Sequence, residues 1–181
     1  MNHPRILVAC IGNIFLGDDG FGTEVARRLA ARTLPPEVSV KDFGIRGLDL
    51  TYALLDPYEL TILVDACPRG GEPGSVYLIE PDPLTGNDEP PRLEAHAMNP
   101  MNVLRAVKAM GGASGRILIV GCEPADLGPE EGQLGLSEAV QAAVDEAVIL
   151  IETLVSKLLE GELGTIAPTS SLDAEKETPH V

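Results

Sequence analysis

The residues best placed to do chemistry are carboxylates and one imidazole set beside turns. Asp18 and Asp19 lie in Gly12-Asn13-Ile14-Phe15-Leu16-Gly17-Asp18-Asp19-Gly20-Phe21-Gly22, Asp65 directly follows the apolar run Leu60-Thr61-Ile62-Leu63-Val64, and His96 sits in Glu94-Ala95-His96-Ala97. Gly12 and Gly17 have the spacing of a phosphate loop. Acids nevertheless stand where Lys and Ser or Thr would hold phosphate and magnesium, and two carboxylates repel a phosphate. The glycines also miss the Gly-x-Gly-x-x-Gly pattern of a dinucleotide site, so no bound organic cofactor is expected. What is left is a glycine-flexed turn that presents carboxylates to a cation or a proton at a helix start, where the dipole favours them.

Each residue also has a plainer reading. Asp18 or Asp19 could cap the following helix, Asp65 could satisfy loop amides, and a lone His is more often structural than a ligand. Together, two carboxylates and an imidazole form an O, O, N donor set with open positions, which suits zinc or nickel better than calcium. A serine nucleophile is disfavoured because no Gly-x-Ser-x-Gly elbow occurs. Cys67, two residues past Asp65, could be reactive, but structural thiols are commoner. Cys10 and Cys122 read as core.

Composition narrows the class. A formal charge of -15 with no basic cluster excludes nucleic acid as the expected partner, and a basic protein surface would suit the acidic chain. Three unpaired-looking cysteines argue against a disulfide framework and for a reducing, cytoplasmic setting. The apolar start is too short for a signal peptide and no run is long enough to span a membrane, so no membrane insertion is expected.

The elements that must position these residues alternate between two periods. Strands are predicted at Arg5 to Ile11, Val38 to Lys41, Leu60 to Val64, Ser75 to Ile79 and Gly115 to Cys122. Helices are predicted from Phe21 to the prolines at 35 and 36, over Leu48 to Leu55, over Asn99 to Met110 with Asn99 as cap, and from Ser137 to Gly161. Pro81 to Pro91 reads as an irregular excursion. The order implies one α/β domain over residues 1–160: a three-layer sandwich with a mainly parallel twisted sheet and helices on both faces. Residues 161–181 read as a disordered acidic tail. In such sheets ligands bind outside the carboxyl ends of the strands, and strands one and three are the usual neighbours at the switch point. Asp19, Asp65 and His96 could converge there.

At this point the sequence resembles the hydrogenase maturation proteases. The blocks that carry the likeness are the Gly12 to Gly22 loop, Asp65-Ala66, His96, Val120-Gly121-Cys122-Glu123-Pro124, and Leu136-Ser137 followed by Val140. Asp42-Phe43-Gly44-Ile45-Arg46-Gly47 is similar to the family's Asp-Gly-Gly-Thr-x-Gly at Asp42, Gly44 and Gly47. Asp19 stands where many members carry Glu. The resemblance implies an endopeptidase, aspartyl-type or metal-dependent, that removes a C-terminal extension from the [NiFe]-hydrogenase large subunit precursor after nickel insertion. It implies metal ligation by Asp19, Asp65 and His96, a catalytic set of those three with Asp42, and nickel supplied by the substrate. A cytoplasmic monomer is expected. The alternative is a non-catalytic nickel-binding accessory protein using the same ligands.

Overall fold

Strand β1, Ile6–Ile11, is buried along its whole length, as a continuously apolar run covered on both faces must be. A computed structural model describes residues 4–81, 99–112 and 115–165. After β1 come a 3₁₀ turn at Gly17–Gly20, helix α1 at Phe21–Ala30, strand β2 at Val38–Gly44 and helix α2 at Gly47–Ala53. Strands β3 (Leu60–Ala66) and β4 (Val76–Ile79), helix α3 (Pro100–Ala109), strand β5 (Arg116–Cys122) and helix α4 (Glu138–Leu159) complete the order.

The sheet runs β2-β1-β3-β5-β4. All neighbours are parallel except the edge strand β4, which runs antiparallel to β5. Alternation along the strands divides the core in two. Ile6, Val8 and Cys10 pack with Phe21, Val25 and Leu29 of α1 and with the apolar stripe of α4. Leu7, Ala9 and Ile11 pack with Leu50 of α2 and with Val103, Leu104 and Val107 of α3. Two helices thus cover each face, and the expected three-layer α/β sandwich is what the chain forms.

Element ends follow local chemistry. Asn99 caps α3 by accepting from the Met101 amide, with Pro100 in the first turn, and Ser137 caps α4 by accepting from Val140. Strand β2 runs three residues beyond the predicted Lys41, because Phe43 turns inward to the core and Gly44, at φ +55, ends the strand. Helix α1 begins hard against the sheet. A Cβ on Gly22 would collide with the carbonyl oxygens of Ile11 and Val64, so only glycine lets the helix start between β1 and β3.

Past α4 the chain remains attached. Leu163 packs against the first core cluster, and Arg116 donates to the carbonyls of Leu163 at 3.0 Å and Gly164 at 2.8 Å. The rest of the expected tail lies outside the described residues, as do the excursion from 82 onward and His96. Among the described residues, no helix is long and apolar enough to cross a membrane.

Candidate active site

The chain switches direction in the sheet between β1 and β3, and both strands end in loops that carry acids. Gly12 leaves β1 in so tight a turn that a Cβ there would strike the Asp19 carbonyl. The turn folds back until the Asn13 amide donates to Asp19 Oδ2 at 3.0 Å. One strand away, Asp65 is the penultimate residue of β3 and only 7% exposed.

Asp19 and Asp65 line one cleft of about 530 Å³, walled also by Cys67, Arg69, Leu127 and the start of α3 at Asn99, Pro100 and Met101. Both carboxyls are pushed above the ordinary carboxylate range. For Asp65 the causes are burial and then the charge of Asp19, against a weaker opposing bond from the Ala66 amide. For Asp19 burial leads, partly offset by the Asn13 amide. Two acids held above their usual proton affinity in one cleft can take up a proton there, or be relieved by a bound cation.

The remaining sequence-predicted residues fall elsewhere. Asp42 is opposite Cys10 on β2, at the same rim but outside the cleft lining, and its Oδ1 accepts from the Gly44 amide at 2.9 Å and from Thr23 Oγ1 at 3.3 Å. His96 lies outside the described residues. Among those residues, no group of three or more His, Cys, Asp or Glu suited to a metal ion occurs.

Asp18 does not cap α1, and neither does Asp19: the cap position is Gly20, with no side-chain bond. The Asp18 side chain is wholly buried and reaches across the fold to the start of α4. It accepts from the amides of Ser137 at 2.6 Å, Ala125 at 2.8 Å and Asp126 at 3.0 Å, and from Ser137 Oγ at 2.9 Å. Burial alone would raise its pKa, but these bonds outweigh it and hold the carboxylate below its usual range. With its lone pairs occupied, Asp18 is a structural tie and no proton acceptor for the cleft.

Cys67 borders the cleft, yet burial and then the charge of Asp65 push its thiol up to about 12. It stays protonated at neutral pH and is a poor nucleophile.

Glu123 is the residue that the sequence reading left without a role. It is 5% exposed and accepts from the amides of Arg69 at 2.8 Å and Gly70 at 3.1 Å and from the Tyr77 hydroxyl at 2.8 Å. These bonds and the nearby Gly71 amide outweigh burial and hold the Glu123 carboxyl below its usual range. Its place in Gly121-Cys122-Glu123-Pro124, at the exit of a buried strand like that of Asp65, was the available signal.

The strand order and the two acids at the switch point define a doubly wound α/β domain with an acidic cleft. A model described as hydrogenase maturation protease matches residues 23–154, and the chain belongs to that family and is a peptidase. It is 31% identical to the hydrogenase expression/formation protein HupD of Rhizobium leguminosarum bv. viciae over 153 residues, which is 83% of this chain and 75% of HupD. The hydrogenase maturating endopeptidase HybD of Escherichia coli superposes with a TM-score of 0.66 at 27% identity, covering 87% of this chain and 94% of that one. A hydrogenase 2 maturation peptidase from a Thaumarchaeota archaeon does so with a TM-score of 0.64 at 33% identity, covering 86% and 99%.

Proposed function

We propose that this peptidase removes the C-terminal extension from the precursor of a [NiFe]-hydrogenase large subunit once nickel is seated in that subunit, acting as a monomer in the cytoplasm. The observation that carries the reading is the pairing of Asp19 and Asp65 in one cleft, where burial raises the proton affinity of both and the charge of Asp19 raises that of Asp65 further. Such a pair favours positive charge beside it. Its donors, two hard oxygens, leave room for a nitrogen ligand, and His96 is assigned that part. Asn99, three residues further along the chain, lines the same cleft.

In this reading nickel belongs to the substrate and supplies Lewis acidity at the scissile carbonyl or the attacking water. The chain's own residues do the rest. Asp19 and Asp65 bind and orient the metal-bearing segment, and the apolar walls at Ile79, Met101 and Ile119 limit water around it. Asp42, whose second carboxylate oxygen accepts no bond among the described residues, is the proton acceptor offered from the neighbouring strand. Free thiols at Cys10, Cys67 and Cys122 suit a reducing compartment.

The test is cleavage of purified precursor with and without nickel. Shortening of the nickel-loaded form alone is the expected outcome, and equal shortening of both would defeat the metal-dependent reading. A nickel-carrying accessory protein would shorten neither, and membership of a peptidase family weighs against it.

A further inference from the structure

Glu123 gathers the loop that follows Asp65. Successive amides of Arg69 and Gly70 converge on its carboxylate together with the Tyr77 hydroxyl. This concave run of N–H groups around an anion needs Gly70, which sits at φ +81. The convergence fixes the backbone of Arg69 at the mouth of the cleft, with its guanidinium 5.2 Å from the centroid of the Tyr77 ring.

That guanidinium is unlike most others in the chain. Arg5, Arg27, Arg28, Arg32, Arg46 and Arg116 each lie within ion-pair distance of an acid. Arg69 is exposed, lines the cleft beside Asp19 and Asp65, and makes no ion pair with either or with any other described acid. Stacking on an aromatic face orients a guanidinium while leaving its edge donors open. The open edge of a fixed guanidinium is a carboxylate receptor.

We propose that Arg69 anchors the substrate by binding a carboxylate of the peptide extension, and that Glu123 is the positioning residue that holds Arg69 and Tyr77 in register for it. The inference rests on the peptidase reading above and adds a specificity contact to it. An acidic enzyme gains discrimination this way: the cleft rejects anions in general through Asp19 and Asp65 and accepts one only where Arg69 can meet it.

The experiment measures KM and kcat on nickel-loaded precursor for the full chain and its Arg69→Ala, Arg69→Lys, Glu123→Gln and Tyr77→Phe variants. Loss of a charge-assisted contact predicts that Arg69→Ala raises KM about tenfold, well beyond its effect on kcat, with Arg69→Lys in between. Glu123→Gln and Tyr77→Phe should raise KM in the wild-type background and add less than about twofold in the Arg69→Ala background. Two altered precursors separate the sources of the carboxylate: one with the extension's Asp and Glu changed to amides, one lengthened by two glycines to displace its terminal carboxylate. The one that raises wild-type KM without affecting Arg69→Ala identifies the contact.

An Arg69→Ala KM within about twofold of wild type, or neither altered precursor affecting wild type selectively, would overturn the anchoring role. Equal KM increases from Glu123→Gln and Tyr77→Phe with and without Arg69 would overturn the positioning role. Wild-type cleavage of nickel-free precursor would count against the metal reading and leave these comparisons intact.

Discussion

At Asp65, burial and the nearby charge of Asp19 act in the same direction and raise its proton affinity. A folded-state value above the unfolded one means that the native state binds more protons, so stability declines as pH rises from the ordinary carboxylate range through the raised value. Asp65→Asn removes that liability. Its denaturant midpoint should exceed wild type at pH 8, with the gap closing as pH falls to about 4. The same variant should lose precursor cleavage by roughly a hundredfold or more, because an amide cannot serve as the anionic ligand. Asp19→Glu should retain cleavage within about tenfold while Asp19→Asn does not, since a longer carboxylate can still reach the cleft. Stability and activity moving in opposite directions at one residue would mark Asp65 as functional; a midpoint that falls with activity would mark it as structural. The placing of Asp19 and Asp65 at one rim was legible in the sequence because one sits in the glycine loop after an apolar run and the other directly closes one. The separate fate of Asp18 was not, since its partners at residues 125, 126 and 137 are distant in sequence and only the fold brings them near.

Elements set these positions through a few close contacts. Gly22→Ala would press a methyl group onto the carbonyl ends of β1 and β3, and a cost of about 3 kcal/mol in chemical denaturation is expected, with α1 displaced from the rim. Asp18→Ala should be comparably harmful, about 3 kcal/mol, because it removes the carboxylate that ties the Ala125 and Asp126 amides to Ser137 at the start of α4. The pH signature of Asp18 is the reverse of that of Asp65. Its pKa is depressed, so its stabilisation is complete above the ordinary carboxylate range and disappears as pH falls through the folded value. Acid unfolding of Asp18→Asn should show a shallower dependence below about pH 4 than wild type. At this scale apolar runs announced five strands, and the Asn99 and Ser137 caps announced two helix starts. The run-on of β2 was hidden, because Asp42 looks like a strand terminus until Phe43 is seen packing inward. The reversed direction of β4 was hidden as well, for a short strand carries no mark of its neighbour's polarity.

For the whole molecule, order of blocks mattered more than any one of them: the layered architecture and the family followed from strands, loops and acids in sequence. The segment just past α4 also adds to the core. A chain ending at Glu160 should lose about 1–2 kcal/mol relative to the full chain, with the packing of Leu163 and two bonds from Arg116. The link from Asp18 to Ser137, spanning 119 positions, has a consequence for biosynthesis. The segment bearing Asp19 is made early, yet the groups that lock it in shape are translated more than a hundred codons later. A nascent chain on the ribosome therefore lacks the contacts that lock this loop, and the rim should assemble only once the last helix has emerged and docked.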